Sequence, residues 1–162
     1  KASGMTWWRM MPNLPVALGQ GVLGMYVPEN LPDQQAVETV WGGLGHVVWL
    51  SDESQVHAVT AVAGSGPALI WRHLQAMIDA AIQEGIPEDQ ARTMVLQTAA
   101  GAVAMGLDQD GHLEDWCQQV ASPGGTTAEG LKVLDAGQHS YVTQQAVLAA
   151  CKRSEQMGRT IS

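Results

Sequence analysis

The pattern of apolar residues changes once along this chain, near Ser51 to Val56, and that change limits the fold more than any other feature. Before it, short apolar runs alternate with proline and glycine, the spacing of an α/β piece. Trp7-Trp8-Arg9-Met10-Met11 reads as a strand stopped by the loop Pro12-Asn13-Leu14-Pro15. Gly24-Met25-Tyr26-Val27 is a second strand, closed by Pro28. Pro32 suits the first turn of a helix that carries Ala36, Val37, Val40, Trp41 and Leu44 on one face and ends at Gly42, Gly43 and Gly45. His46-Val47-Val48-Trp49-Leu50 is a third strand, continuous enough to be buried in a sheet.

Beyond Ser51-Asp52-Glu53 only helical periods remain. Ile70, Leu74, Met77, Ile78, Ala81 and Ile82 keep one face until Gly85. Ala91, Met94, Val95, Thr98, Ala99, Ala102 and Val103 keep another from Pro87 onward. Leu113, Trp116, Cys117 and Val120 mark a shorter helix. A last one, from about Ser140 to Met157, is apolar on nearly all sides. Such a helix needs cover on more than one face, and in a bundle this small a partner subunit is the natural cover. The chain is therefore expected to be mostly α, with an α/β piece over residues 1–55 and a helical domain over 56–162.

Net charge is −8 at pH 7 with only eight Lys plus Arg, thinly spread, which argues against a nucleic-acid or anionic-membrane surface. No apolar run approaches the ~20 residues of a membrane span, and the cytoplasm is the expected compartment. Cys117 and Cys151 fall in helical apolar patterns as buried free thiols. The five histidines lack ligand spacing, so no metal is expected.

Ser122-Pro123-Gly124-Gly125-Thr126-Thr127 leads straight into a helical stretch. A junction of this kind turns backbone N–H groups toward one point at the positive end of a helix dipole, where a carboxylate or phosphate can bind. Thr126 and Glu129 have capping-box spacing. The same residues also suit a glycine-rich turn that only starts a helix, and the hexapeptide alone leaves both readings open.

Three blocks fall in order: Met11-Pro12-Asn13-Leu14-Pro15, then Ala58 through Gly64-Ser65-Gly66-Pro67-Ala68, then Ser122 through Thr127. Together with Gln97-Thr98, Gly101-Ala102 and Arg153-Ser154, they resemble the pyrroline-5-carboxylate reductase family. That resemblance implies a Rossmann domain for NADPH or NADH, followed by a helical dimerisation domain. No G-x-G-x-x-G loop occurs before Arg9, so the chain is expected to be the C-terminal portion of a reductase, with 1–55 the remnant of its cofactor domain.

The implied reaction passes a hydride to the C=N carbon of a cyclic imino acid, giving proline, in a homodimer or larger homo-oligomer. By resemblance, Thr127 is the catalytic side chain, hydrogen-bonding the ring nitrogen. The N–H groups of Gly125, Thr126 and Thr127 hold the substrate carboxylate. Asp110 orients the ring nitrogen or is a turn aspartate. Ser65 and Pro67 border the pocket from the opposite subunit, or their glycine neighbours admit a packed helix. Asn13 lies beside the nicotinamide or is a plain turn residue. Leu69, Gln75, Leu113 and His57 depart from the family's usual residues. An inactive helical dimerisation module, or a reductase of a related cyclic imino acid, are the competing readings.

Overall fold

The computed structural model describes residues 7–28, 33–108 and 111–161. The chain forms two compact units. One runs to Ala68 and includes the chain from Gln144 onward; the other is Leu69–Thr143.

In the first unit, β1 (Arg9–Pro12), β2 (Gly21–Tyr26) and β3 (Gly45–Leu50) form a sheet in the order β1-β2-β3. The β1–β2 pair is antiparallel, with Met11 opposite Gly24; the β2–β3 pair is parallel, with Leu23 opposite Val47. A parallel pair needs a crossover, and α1 (Gln34–Trp41) supplies it. Asp33 caps that helix by accepting from the N–H groups of Gln35 and Ala36 at 3.0 and 3.4 Å. Pro32, expected in its first turn, lies outside the described residues. Met25, Val27, Val37 and Val47 are buried together, with Met10, Trp41 and Trp49 against them. The other side of β2 is as tightly packed: a Cβ on Gly24 would stand 2.7 Å from a Val59 methyl.

The strands start and stop within a few residues of their expected places, but two connections differ. Leu14–Leu18 is a 3-10 turn rather than a loop, since Pro15 pre-sets the helical φ at its start. After α1, Gly42–Leu44 makes one 3-10 turn before β3 begins at Gly45.

Helices follow without interruption by strands. α2 (Gln55–Val59) runs into a π turn, Thr60–Gly64, and α3 (Gly66–Gln83) restarts one residue later. α4 (Glu88–Asp108), α5 (Leu113–Val120), α6 (Thr126–Ala136) and α7 (His139–Ile161) complete the chain. In the second unit, Ile78 of α3 meets Ala91 and Val95 of α4, with Leu74, Ala81 and Ile86 packed around them. The turn between these helices uses Gly85 at φ +88°. Large apolar side chains elsewhere stay open to solvent. Val103 is 62 % and Leu107 83 % exposed on α4, and Val142 and Leu148 on α7 are similarly exposed.

Candidate active site

The hexapeptide is built by turn chemistry that each residue explains. The Gly125 N–H donates to the Ser122 carbonyl at 2.9 Å, closing a turn with Pro123 second and Gly124 third. Gly124 sits at φ +71°, the left-handed value a type II turn demands at that place, and proline suits the position before it. At Gly125 the packing is close for a different reason: a Cβ there would press on the Ser122 hydroxyl and stand 3.0 Å from its carbonyl. Gly125 is then the N-cap of α6, its carbonyl accepting the first helical bond from Glu129 at 3.2 Å.

Two sequence expectations are corrected here. The capping box is not made, because Thr126 is already inside the helix and no side chain caps it. Glu129 instead accepts from Lys132 Nζ at 2.6 Å, on the exposed face. The Gly125 N–H is committed to Ser122 and is not available to a ligand. The N–H groups at the helix start that have no partner among the described residues are those of Thr126, Thr127 and Ala128. Thr127 is partly buried and its hydroxyl makes no hydrogen bond among the described residues; Thr126 is exposed. Asp110 lies outside the described residues.

The Gly64-Ser65-Gly66-Pro67 block sits at the end of the π turn. The Ser65 N–H donates to the Thr60 carbonyl at 2.9 Å, and the Ser65 hydroxyl reaches the same oxygen at 3.4 Å. Gly64 faces a strand residue: its Cβ would stand 3.1 Å from the Met11 Cε. Around Gly66 there is open space. Asn13 is no plain turn residue. Its Oδ1 accepts from the Val22 N–H at 2.9 Å and its Nδ2 donates to the Ala63 carbonyl at 3.1 Å. Asn13 is thereby brought to the segment that holds Ser65 and Pro67, in the first unit. Gly125, Thr126 and Thr127 belong to the second.

Of the residues that depart from the family's usual ones, Gln75 lies on the exterior of α3, donating to Asp79 at 2.8 Å. Leu113 starts α5 and, with Val103, Leu107, Trp116 and Val120, lines an apolar groove of about 590 Å³. That groove ends in sequence at the hexapeptide. A polar cavity of about 710 Å³ in the first unit contains none of the expected site residues; Arg9, Glu53, His57, Glu155 and Arg159 line it, and Arg9 pairs with Glu53 at 2.7 Å. Next to it, both the hydroxyl and the N–H of Ser54 donate to Asp52, holding its carboxyl below the ordinary value of 3.8.

One motif passes unnoticed in the strand pattern. Gly19-Gln20-Gly21-Val22-Leu23-Gly24 has G-x-G-x-x-G spacing, yet it cannot cradle a dinucleotide. Its last four residues lie within β2, so the glycines lead into a strand, not from a strand into a helix. Among the described residues, this run is therefore not a strand-to-helix phosphate turn. Among them, no helix is long and apolar enough to cross a membrane, and no group of three or more His, Cys, Asp or Glu could hold a metal ion.

The described residues thus form a small three-stranded sheet followed by long helices that expose apolar side chains and, on α6, an open N-terminus, a mostly helical class of domain. Residues 53–157 match the family model described as pyrroline-5-carboxylate reductase dimerisation. This chain belongs to the pyrroline-5-carboxylate reductase family. It is 38 % identical over 152 residues to the pyrroline-5-carboxylate reductase of Haemophilus influenzae, covering 92 % of this chain and 56 % of that protein. With the Pseudomonas aeruginosa reductase it shares 36 % over 155 residues, 94 % of this chain and 57 % of the relative. Among solved structures, the reductase from Coxiella burnetii superposes with a TM-score of 0.90 at 32 % identity, covering 96 % of this chain and 58 % of that one. The Plasmodium falciparum pyrroline carboxylate reductase, solved with NADP bound, gives 0.86 at 30 %, covering 96 % and 60 %. The chain thus spans little more than half the length of the relatives it matches.

Proposed function

We propose that this chain supplies the substrate-binding and subunit-association part of an enzyme that reduces 1-pyrroline-5-carboxylate to L-proline. The observation that carries this reading is the start of α6. Three N–H groups there are unpartnered among the described residues, beside a half-buried Thr127 hydroxyl that is also unengaged. A carboxylate accepts from the Thr126, Thr127 and Ala128 N–H groups and gains from the positive end of the helix. Gly125 serves through its lack of a Cβ and the turn it closes, not as a donor.

With the carboxylate held, the Thr127 hydroxyl hydrogen-bonds the ring nitrogen, which takes a proton as the imine becomes an amine. The hydride is supplied by a reduced nicotinamide, NADPH or NADH, whose main cradle is not formed by the described residues. Holding the imine carbon in place is what this chain contributes to the rate. Asp110 orients the ring nitrogen in this reading, and Ser65 and Pro67 border the ring from a second copy. Residues 1–55 then belong to the cofactor-binding domain and 56–162 to the association and substrate domain. The exposed apolar side chains of α4 and α7 are the surface that a second copy covers.

The test is an assay of the full-length protein containing this chain with 1-pyrroline-5-carboxylate and either reduced nicotinamide, alongside the Thr127→Ala variant. Wild type consumes the cofactor and forms proline. Preference for a six-membered or 2-carboxylate imine would overturn the substrate assignment, and a clean monomer by sedimentation would remove the second copy.

A further inference from the structure

The two motifs that sequence alone singles out in the first unit are joined by one side chain, and the join has a chemical cause. Ala63 lies in the π turn, where a carbonyl pairs with the N–H five residues on, as Thr60 does with Ser65; in an α-helix its partner would be the N–H four residues on. That residue is Pro67, which has no N–H. The next N–H, of Ala68, is taken by the Ser65 carbonyl at 3.1 Å. Ala63 is thus left without a donor from its own helix, and the Asn13 Nδ2 provides one from 50 residues away, at 3.1 Å. At its other end Asn13 is held by the Val22 N–H, so the amide cannot turn without breaking a second bond. Only one amide orientation satisfies both, with Oδ1 toward the N–H and Nδ2 toward the carbonyl. Met11, two residues earlier, packs against Gly64 and closes the same junction.

We propose that Asn13 is a positioning residue for the imino acid: its amide stands in for the N–H that Pro67 lacks and so sets where Ser65 and Pro67 meet the substrate. This rests on the proposed reductase function. One N–H of Nδ2 and one lone pair of Oδ1 are engaged within the fold, which fixes the amide in place, and its effect on the imino acid runs through the Ser65–Pro67 segment it holds. A second consequence follows from the cause. Replacing Pro67 by alanine restores the missing N–H at position 67, giving Ala63 a helical donor and making the Asn13 donor dispensable.

Three variants of the full-length protein test this: Asn13→Asp, Pro67→Ala and the double. Aspartate keeps the acceptor for Val22 and replaces the donor to Ala63 with a carboxylate oxygen, so that bond is lost and a repulsion stands in its place. Asn13→Asp should raise the KM for the imino acid about tenfold, the scale of one unsatisfied carbonyl, and leave the cofactor KM within about twofold. In the Pro67→Ala background, adding Asn13→Asp should change the imino-acid KM by no more than about threefold relative to Pro67→Ala alone, with the unfolding midpoint changing as little. A rise in cofactor KM without a rise in imino-acid KM overturns the proposal. So does an Asn13→Asp effect as large in the Pro67→Ala background as in the wild type, in both KM and unfolding. A wild-type protein that reduces no cyclic imine overturns the reductase reading itself, and the positioning role with it.

Discussion

His57 Nδ1 and Ser154 Oγ, 97 positions apart, lie 2.9 Å from one another and tie α7 back to α2. The bond is partly buried, and α7 crowds the same ring, since a Cβ on Gly158 would stand 3.2 Å from His57 Cε1. Removing either partner should cost about 1 kcal/mol of stability, the usual net worth of such a bond. Removing both should cost little more than removing one. Urea unfolding of His57→Ala, Ser154→Ala and the double checks this; fully additive losses would show that the two side chains do not act together.

The two glycines of the hexapeptide should respond differently to alanine. Gly124→Ala places a side chain at φ +71° in open space, a backbone penalty of about 1 kcal/mol. Gly125→Ala keeps an ordinary φ of −79° and meets the rotatable Ser122 hydroxyl and, at 3.0 Å, its carbonyl, so it should cost less than Gly124→Ala. Thermal unfolding ranks them, and a larger loss for Gly125→Ala would show that the Ser122 turn cannot give way.

Thr127→Ala should lower turnover by about tenfold or more while changing stability by less than about 1 kcal/mol, because the hydroxyl makes no bond within the described fold. Thr126→Ala, on the exposed side of the same turn, should leave turnover within about twofold. Steady-state kinetics beside circular dichroism separates the two. If both variants lose turnover equally, the hydroxyl of Thr127 has no special place.

Asp52 titrates below 3.8 because the Ser54 hydroxyl and N–H favour its ionised form. The sign follows from that direction: the stabilisation is present above the ordinary carboxylate range and fades as pH falls through the lowered value. An NMR titration should give a midpoint under 3.8 for Asp52. In Ser54→Ala the midpoint should rise, since the side-chain bond is the largest cause, while the remaining N–H keeps part of the shift. An unchanged midpoint in that variant would refute the assignment.

The Glu129 carboxylate gives a further check on the start of α6. Since it pairs with exposed Lys132 rather than capping the helix, Glu129→Gln should cost no more than about 0.5 kcal/mol. A loss above about 1 kcal/mol in thermal unfolding would restore the capping box.

Much of this was legible in the sequence. The helical periods from Ile70 to Val103, the strand at His46–Leu50, and the turn chemistry of Pro123-Gly124 are local, because period and φ preference depend on neighbours within a few residues. The order of the three motif blocks was equally readable, and the family model covers two of them. What local pattern could not decide was which of several competent partners each polar group would take. Thr126 and Glu129 have the spacing of a capping box, but Gly125 became the N-cap once its carbonyl took the first helical bond, and Glu129 was left to Lys132.

By itself, then, the sequence determined where helices and strands run and that a glycine turn opens α6, since backbone preference and apolar period are written in adjacent residues. Only the tertiary structure decided that Met11 packs against Gly64, that Gly21 and Gly24 of the G-x-G-x-x-G run are strand residues, and that Asn13 donates to the Ala63 carbonyl. Those contacts join segments up to 53 residues apart, the separation of Met11 and Gly64. Their cause is the cost of leaving a hydrogen-bonding group unpaired or a void unfilled, which is settled only when the distant segments meet.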